Sequence, residues 1–197
     1  MTVIVALRHH DTVVIGGERG LGDEATIIMP LTTPKVWRHG PYLFGYSGTT
    51  EGQIVQTKFL PPPPKGDLHT FMNTEFLISL SDFYDKWQVK RTHGEDETGL
   101  TMIICVGGQM YEHTPDDMSL VNYDSEYVSI GSGSDYAYGS LWTTKHLSNP
   151  KGRVKTAIEA ACAYSPACMT PVDVISMKIK NHNTPAKPKV EESNPDV

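Results

Sequence analysis

Residues 2–20 read TVIVALRHHDTVVIGGERG. Two runs rich in β-branched residues, TVIVALR (2–8) and TVVIGGER (12–19), flank the short polar stretch His9-His10-Asp11. That spacing predicts a β-hairpin. A buried first strand starts equally well with Val or Ile, so a threonine directly behind Met1 needs its own account. Small second residues usually permit removal of the initiator methionine, which here would leave a free amine beside the Thr2 hydroxyl. The amine's ordinary pKa of about 7.7–8.0 keeps a usable fraction neutral near pH 7. Amine and hydroxyl on one residue can then act as base and nucleophile. Such a site also needs a nearby cation, a carboxylate to orient it, and a backbone N–H for the oxyanion.

Working away from the hairpin, KVWRHGPYLFGYSG (35–48) reads as a second strand pair turning at His39-Gly40-Pro41. A helix is expected over Thr49–Phe59, ended by Pro61 to Pro64, since proline removes a donor and clashes with the preceding turn. Met72, Phe76, Leu80, Phe83 and Trp87 recur at steps of three and four, with Leu77 and Tyr84 alongside. They predict a helix of about five turns with one broad apolar face. The charged stretch Lys90–Gly99 reads as a surface loop, and LTMIICVGGQMYEHT (100–114) as two strands joined by a Gly-Gly turn. Leu120–Tyr123 and Glu126–Ile130 add edge strands, and GSGSDYAYGSLW (131–142) leads into a helix. Val154, Ala157, Ile158, Ala161 and Cys162 line one face of another helix over Arg153–Tyr164, and PVDVISMKI (171–179) is a final strand. Blocks of strands alternating with blocks of helices point to an α+β fold, two antiparallel sheets between two helical layers. The domain is expected over residues 1–180. Residues 181–197, rich in Asn, Pro, Lys and Glu with little to bury, read as a disordered tail.

The 197 residues suit one domain, and the formal charge of -6 argues against nucleic acid as the main partner. No apolar run approaches the roughly 18 residues of a membrane span, and no export signal stands at the amino end. Cys105, Cys162 and Cys168 are an odd count and read as reduced thiols in a cytoplasm, Cys105 as core. No cofactor or metal site is expected. GSGSDYAYG (131–139) has Tyr136 where a dinucleotide loop needs its third glycine. His9 and His10 are adjacent and face opposite ways on a strand, while His93 and His113 lack partners at zinc-ligand spacing. A G-x-S-x-G elbow is also missing.

Four segments in order carry a resemblance: TVIVALRHHDTVVIGGERG, PKVWRHGPYLFGYSGTT (34–50), VSIGSGSDYAYG (128–139), and a helix followed by PVDVISM (171–177). Over residues 2 to 178 they resemble the proteasome β-subunit and HslV-like superfamily of N-terminal-nucleophile hydrolases. The resemblance implies a four-layer αββα sandwich and a threonine-type peptidase. Thr2 falls on the family's catalytic threonine, Glu18 in GGER on its acidic residue, and Lys35 in PKVWR on the lysine that lowers the threonine's proton affinity. Gly48 in GYSGTT matches the oxyanion glycine, and Ser132 in IGSGS the serine bonded to the amino terminus. Arg19, Ser165 and Cys168 are supporting positions, and three departures mark the chain. Glu18 replaces the usual aspartate, Ser165 in SPACMTP (165–171) stands where an aspartate is expected, and Cys168 where a serine is. A Glu18–Arg19 ion pair is the alternative structural reading of those two residues. The resemblance implies a homo-oligomeric ring or spiral acting on peptide or unfolded protein, with an ATPase partner left open. The alternative function is an inactive subunit kept for assembly or binding.

Overall fold

The computed structural model describes residues 2–22, 29–90 and 99–179; Met1, most of the Lys90–Gly99 loop and the tail lie outside the described residues. The predicted first hairpin is β1 (Ile4–His9) and β2 (Thr12–Glu18), turning through His10 and Asp11. A short ribbon follows, β3 (Gly20–Leu21) with β4 (Met29–Pro30). Next come β5 (Val36–His39), β6 (Tyr42–Ser47) and helix α1 (Glu51–Lys58). The long helix has three parts: α2 (Leu68–Phe71), a π turn over Met72–Phe76, and α3 (Leu77–Trp87). The chain continues through β7 (Thr101–Val106), β8 (Gln109–Thr114), β9 (Ser119–Asn122) and β10 (Tyr127–Ile130). It closes with α4 (Ser134–Thr143), α5 (Pro150–Tyr164) and β11 (Val172–Lys178).

Two antiparallel sheets result, in the orders β10-β1-β2-β11 and β5-β6-β7-β8-β9. Side-chain alternation along the strands sets the layers. Val3, Val5, Leu7 and Val14 face Ala137, Leu141, Val154 and Ile158 of the α4–α5 layer. The intervening Ile4, Ala6, Val13 and Ile15 meet Val36, Leu43, Ile103 and Cys105 of the second sheet. Behind that sheet, Tyr42, Phe44, Met102 and Ile104 bury against Val55, Phe76 and Leu80 of the other helical layer. The inner strands β1, β2, β6 and β7 are therefore buried on both faces, and the order of layers is αββα. Glycine lets the layers approach: a Cβ on Gly16 would lie 2.8 Å from Ile158 Cδ1, and one on Gly45 of β6 2.6 Å from Ile4 Cγ2 of β1. Gly107 and Gly108, both at positive φ (57° and 84°), supply the tight β7–β8 turn.

The long helix differs from its expected regularity in two ways. Within it, Asn73 Nδ2 and Thr74 Oγ1 donate to the carbonyls of His69 (2.9 Å) and Thr70 (2.7 Å). Side-chain donors there compete with the backbone ladder, at the point where it widens into a π turn. Trp87 was expected on the buried face but is 39% exposed, with the Lys58 ammonium 4.1 Å from its ring centroid. The helix is ending there, in a left-handed Gln88. Tyr42 Oη donates to Pro62 O at 2.7 Å and so straps the proline run to β6.

Candidate active site

Three of the residues singled out in the sequence form one buried cluster. Thr2, Glu18 and Lys35 are 1%, 0% and 2% exposed. Thr2 leads into β1, Glu18 ends the neighbouring β2, and Lys35 precedes β5 of the other sheet. The cluster thus sits at one end of the sandwich, where the two sheets face each other. Lys35 Nζ donates to Thr2 Oγ1 at 2.5 Å, to Glu18 Oε1 at 2.6 Å, and to Gly20 O. Three acceptors match the three N–H bonds of an ammonium. The second oxygen of Glu18, Oε2, accepts from Gly20 N–H and from Met169 N–H at 3.2 Å. A fully buried carboxylate is thus paired and hydrogen-bonded on both oxygens, which is what its burial requires.

Ser132 joins from the β10–α4 turn, where its Oγ accepts from the Thr2 nitrogen at 3.3 Å. Gly133 N–H donates to Thr2 O at 3.1 Å, and Ser129 Oγ donates to Ile4 O at 3.0 Å, so this segment fixes the start of β1. Gly131 has φ +92°, and a Cβ there would run into the Thr2 carbonyl oxygen and lie 2.6 Å from Ser47 Oγ. The end of β6 therefore lies beside Thr2, and Gly48 is the next residue. Gly48 also has φ +92°, and a Cβ would collide with the Gly99 carbonyl. Only glycine fits such a position.

The supporting residues fall differently. Arg19 does not pair with Glu18. Its guanidinium forks onto Asp173 of β11, Nε to Oδ2 at 2.6 Å and Nη2 to Oδ1 at 2.7 Å. Adjacent residues on an extended chain point to opposite sides, so Glu18 turns inward and Arg19 away from it. Ser165 is buried at the end of α5, where its Oγ accepts from Ala167 N–H at 3.3 Å. Cys168 is buried beside Gly133, and burial together with the Glu18 carboxylate pushes its thiol up to about 11. Sequence reasoning missed Gly20, which serves the cluster through both N–H and C=O, as well as Met169 N–H and Asp173. Of these only Asp173 left a trace, a lone carboxylate inside the apolar strand PVDVISM.

Among the described residues, no group of three or more His, Cys, Asp or Glu is arranged to hold a metal, and no helix is long and apolar enough to cross a membrane. No family model matches the chain, and no curated protein matches it. Solved structures do. BPH from Thiobacillus denitrificans, in complex with epoxomicin, superposes with a TM-score of 0.72 at 15% identity, over 91% of this chain and 100% of that one. Eukaryotic HslV from Trypanosoma brucei gives 0.65 at 18% identity, over 90% and 99%. Anbu, an ancestral β-subunit from Yersinia bercovieri, gives 0.61 at 14%, over 90% and 81%. Two facing antiparallel sheets between two helical layers are the αββα sandwich known as the N-terminal-nucleophile hydrolase fold. The chain shares this proteasome-like fold with BPH, HslV and Anbu.

Proposed function

We propose that the chain is an N-terminal threonine hydrolase of amide bonds, a peptidase, that works after Met1 is removed. In this reading the freed α-amine of Thr2 takes the proton of Oγ1 as that oxygen attacks the carbonyl carbon. The backbone N–H of Gly48 receives the developing oxyanion. Collapse breaks the C–N bond, the proton passes to the leaving amine, and an ester on Thr2 remains. Water then attacks the ester and restores the hydroxyl. Lys35 keeps the amine unprotonated and steadies Oγ1, Glu18 orients Lys35, and Ser132 holds the Thr2 nitrogen. The observation that carries the reading is the buried Lys35 ammonium, 2.5 Å from Thr2 Oγ1 and 2.6 Å from Glu18. A sandwich held together only for stability gains little from burying a charged pair against a hydroxyl.

Peptide or unfolded protein is the substrate class, a homo-oligomeric ring or spiral is the setting that the likeness to proteasome-like folds supports, and the cytoplasm is the compartment that three free cysteines suit. One departure favours the second reading, an inactive subunit with an assembly or binding role. Ser165 brings no charge to the site, and its hydroxyl is spent on its own turn. Intact mass and covalent labelling separate the two. The hydrolase reading expects a mature mass lacking Met1 and a single adduct on Thr2 from an electrophilic peptide warhead, both adduct and turnover vanishing in Thr2→Ala. Retained Met1 with no adduct leaves the inactive subunit.

A further inference from the structure

We infer that Asp173, acting through Arg19, is a positioning residue that sets where the Lys35 ammonium stands; the inference rests on the hydrolase reading of the Thr2 cluster. Lys35 lies outside regular structure, at the end of a stretch, Leu31–Pro34, that belongs to no strand or helix. An ammonium on a four-carbon stem is only as well placed as the backbone beneath it. Two bonds to Arg19 hold that stretch: Leu31 N–H donates to Arg19 O at 2.8 Å, and Arg19 Nη1 donates to Thr32 O at 2.8 Å. Gln56 Nε2 adds a bond to Pro34 O at 3.1 Å, and Tyr46 N–H one to Lys35 O at 3.2 Å.

The Arg19 guanidinium reaches Thr32 only in the plane and direction that Asp173 imposes. The bidentate fork fixes both at once, and the side chains are 23% and 22% exposed, so solvent does not dissolve the pair. Asp173 sits opposite Gly17 in the β2–β11 register, one residue before Glu18. The same segment that ends in Asp173 also sends Met169 N–H to Glu18. The 169–173 segment that leads into β11 thus braces both partners of the ion pair, Glu18 through the Met169 N–H and Lys35 through Asp173 and Arg19. Ser165 contributes no charge to the site. The carboxylate this segment does supply is Asp173, and it reaches the cluster through an arginine rather than by contact with Thr2.

The test compares Asp173→Asn and Arg19→Lys with wild-type protein, measuring kcat and KM on a small fluorogenic peptide, their pH profiles, and the rate of Thr2 labelling by the warhead. The expected result is a fall in kcat of about tenfold to a hundredfold with KM little changed, since the nucleophile and not the substrate is misplaced. A displaced Lys35 also lowers the Thr2 amine's pKa less, so the acidic limb of the kcat/KM profile moves to higher pH. A role in strand pairing alone would not move that limb. Asp11→Asn is the control: it breaks the exposed Asp11–Lys178 pair (2.7 Å) at the far end of the same strands and should leave kcat and the limb unchanged. Arg19→Lys keeps the charge and the fold if Asp173→Asn does not fold. Wild-type protein that takes no adduct sinks the hydrolase reading. Labelling that proceeds in wild type, and equally fast with the same limb in both variants, overturns the inference alone.

Discussion

Glu18 and Lys35 depend on each other because neither has water to turn to. Replacing Lys35 with Ala removes the cation that Thr2 Oγ1 faces, and it also strands a carboxylate that is 0% exposed. Two backbone N–H groups remain on Glu18, yet breaking a buried pair from one side costs about 3–5 kcal/mol. The expected outcome is loss of activity together with a clear drop in melting temperature. Lys35→Met combined with Glu18→Gln removes both charges, and should recover most of the stability while remaining inactive. Thermal melts of the two proteins, with turnover measured on the folded material, check the pair. The same reasoning explains what could be read here from sequence. Thr2, Glu18, Lys35 and Ser132 belong to stretches whose residue types were distinctive, whereas Gly20 and Met169 act through backbone atoms that any residue carries. Arg19 was set against Glu18 because they are neighbours in sequence, but on an extended chain neighbours part company.

Strands and helices were legible where both their faces had a reason to be apolar. Val3 to Leu7 and Val13 to Ile15 are buried on both sides, and that continuous apolar character marks inner strands. The ribbon β3–β4 was not legible, because two-residue strands carry no periodicity. Nor was the π turn, which depends on local side-chain bonds at Asn73 and Thr74 rather than on the apolar repeat. The glycines divide the same way, and a pair of substitutions tests it. Gly16 lies under α5, and a Cβ there would be 2.8 Å from Ile158 Cδ1 and Val154 Cγ1 and 2.9 Å from the Asp173 carbonyl oxygen. The side-chain ends can give way, but the strand backbone cannot. Gly16→Ala should therefore destabilise by about 1–3 kcal/mol. Gly139, within α4, has nothing within 4 Å of a Cβ. Gly139→Ala should stabilise by about 0.5–1 kcal/mol, since glycine in a helix interior gives up more chain entropy. Denaturant midpoints of the two variants should move in opposite directions from wild type.

Among the described residues most buried polar groups gather at one end of the sandwich; Arg153 in α5 and His113 in β8 stand apart, and His113 is the one that responds to acid. His113, on β8, is 0% exposed beneath the long helix. Its Nδ1–H donates to Ser119 O at 2.7 Å, and its Nε2 lies 3.1 Å from Tyr84 Oη, whose hydroxyl can donate to it when the ring is neutral. Burial holds its pKa below the ordinary value of about 6.5, with the Ser119 carbonyl and Asp117 pushing back weakly. Above 6.5 the ring is neutral in both folded and unfolded chains, and its full contribution to stability is present. As the pH falls below 6.5, the unfolded chain takes up a proton that the folded one refuses, so stability drops until the folded pKa is passed. One such group contributes a slope of at most about 1.4 kcal/mol per pH unit. Tyr84 reaches His113 from the helical layer and β8 lies in the second sheet, so protonation loosens the contact between those layers. Melting temperatures measured from pH 7.5 down to 5 should therefore decline for wild type. The decline should be shallower for His113→Gln, even if that variant melts lower throughout. Parallel curves for the two proteins would mean that His113 takes up its proton as readily folded as unfolded.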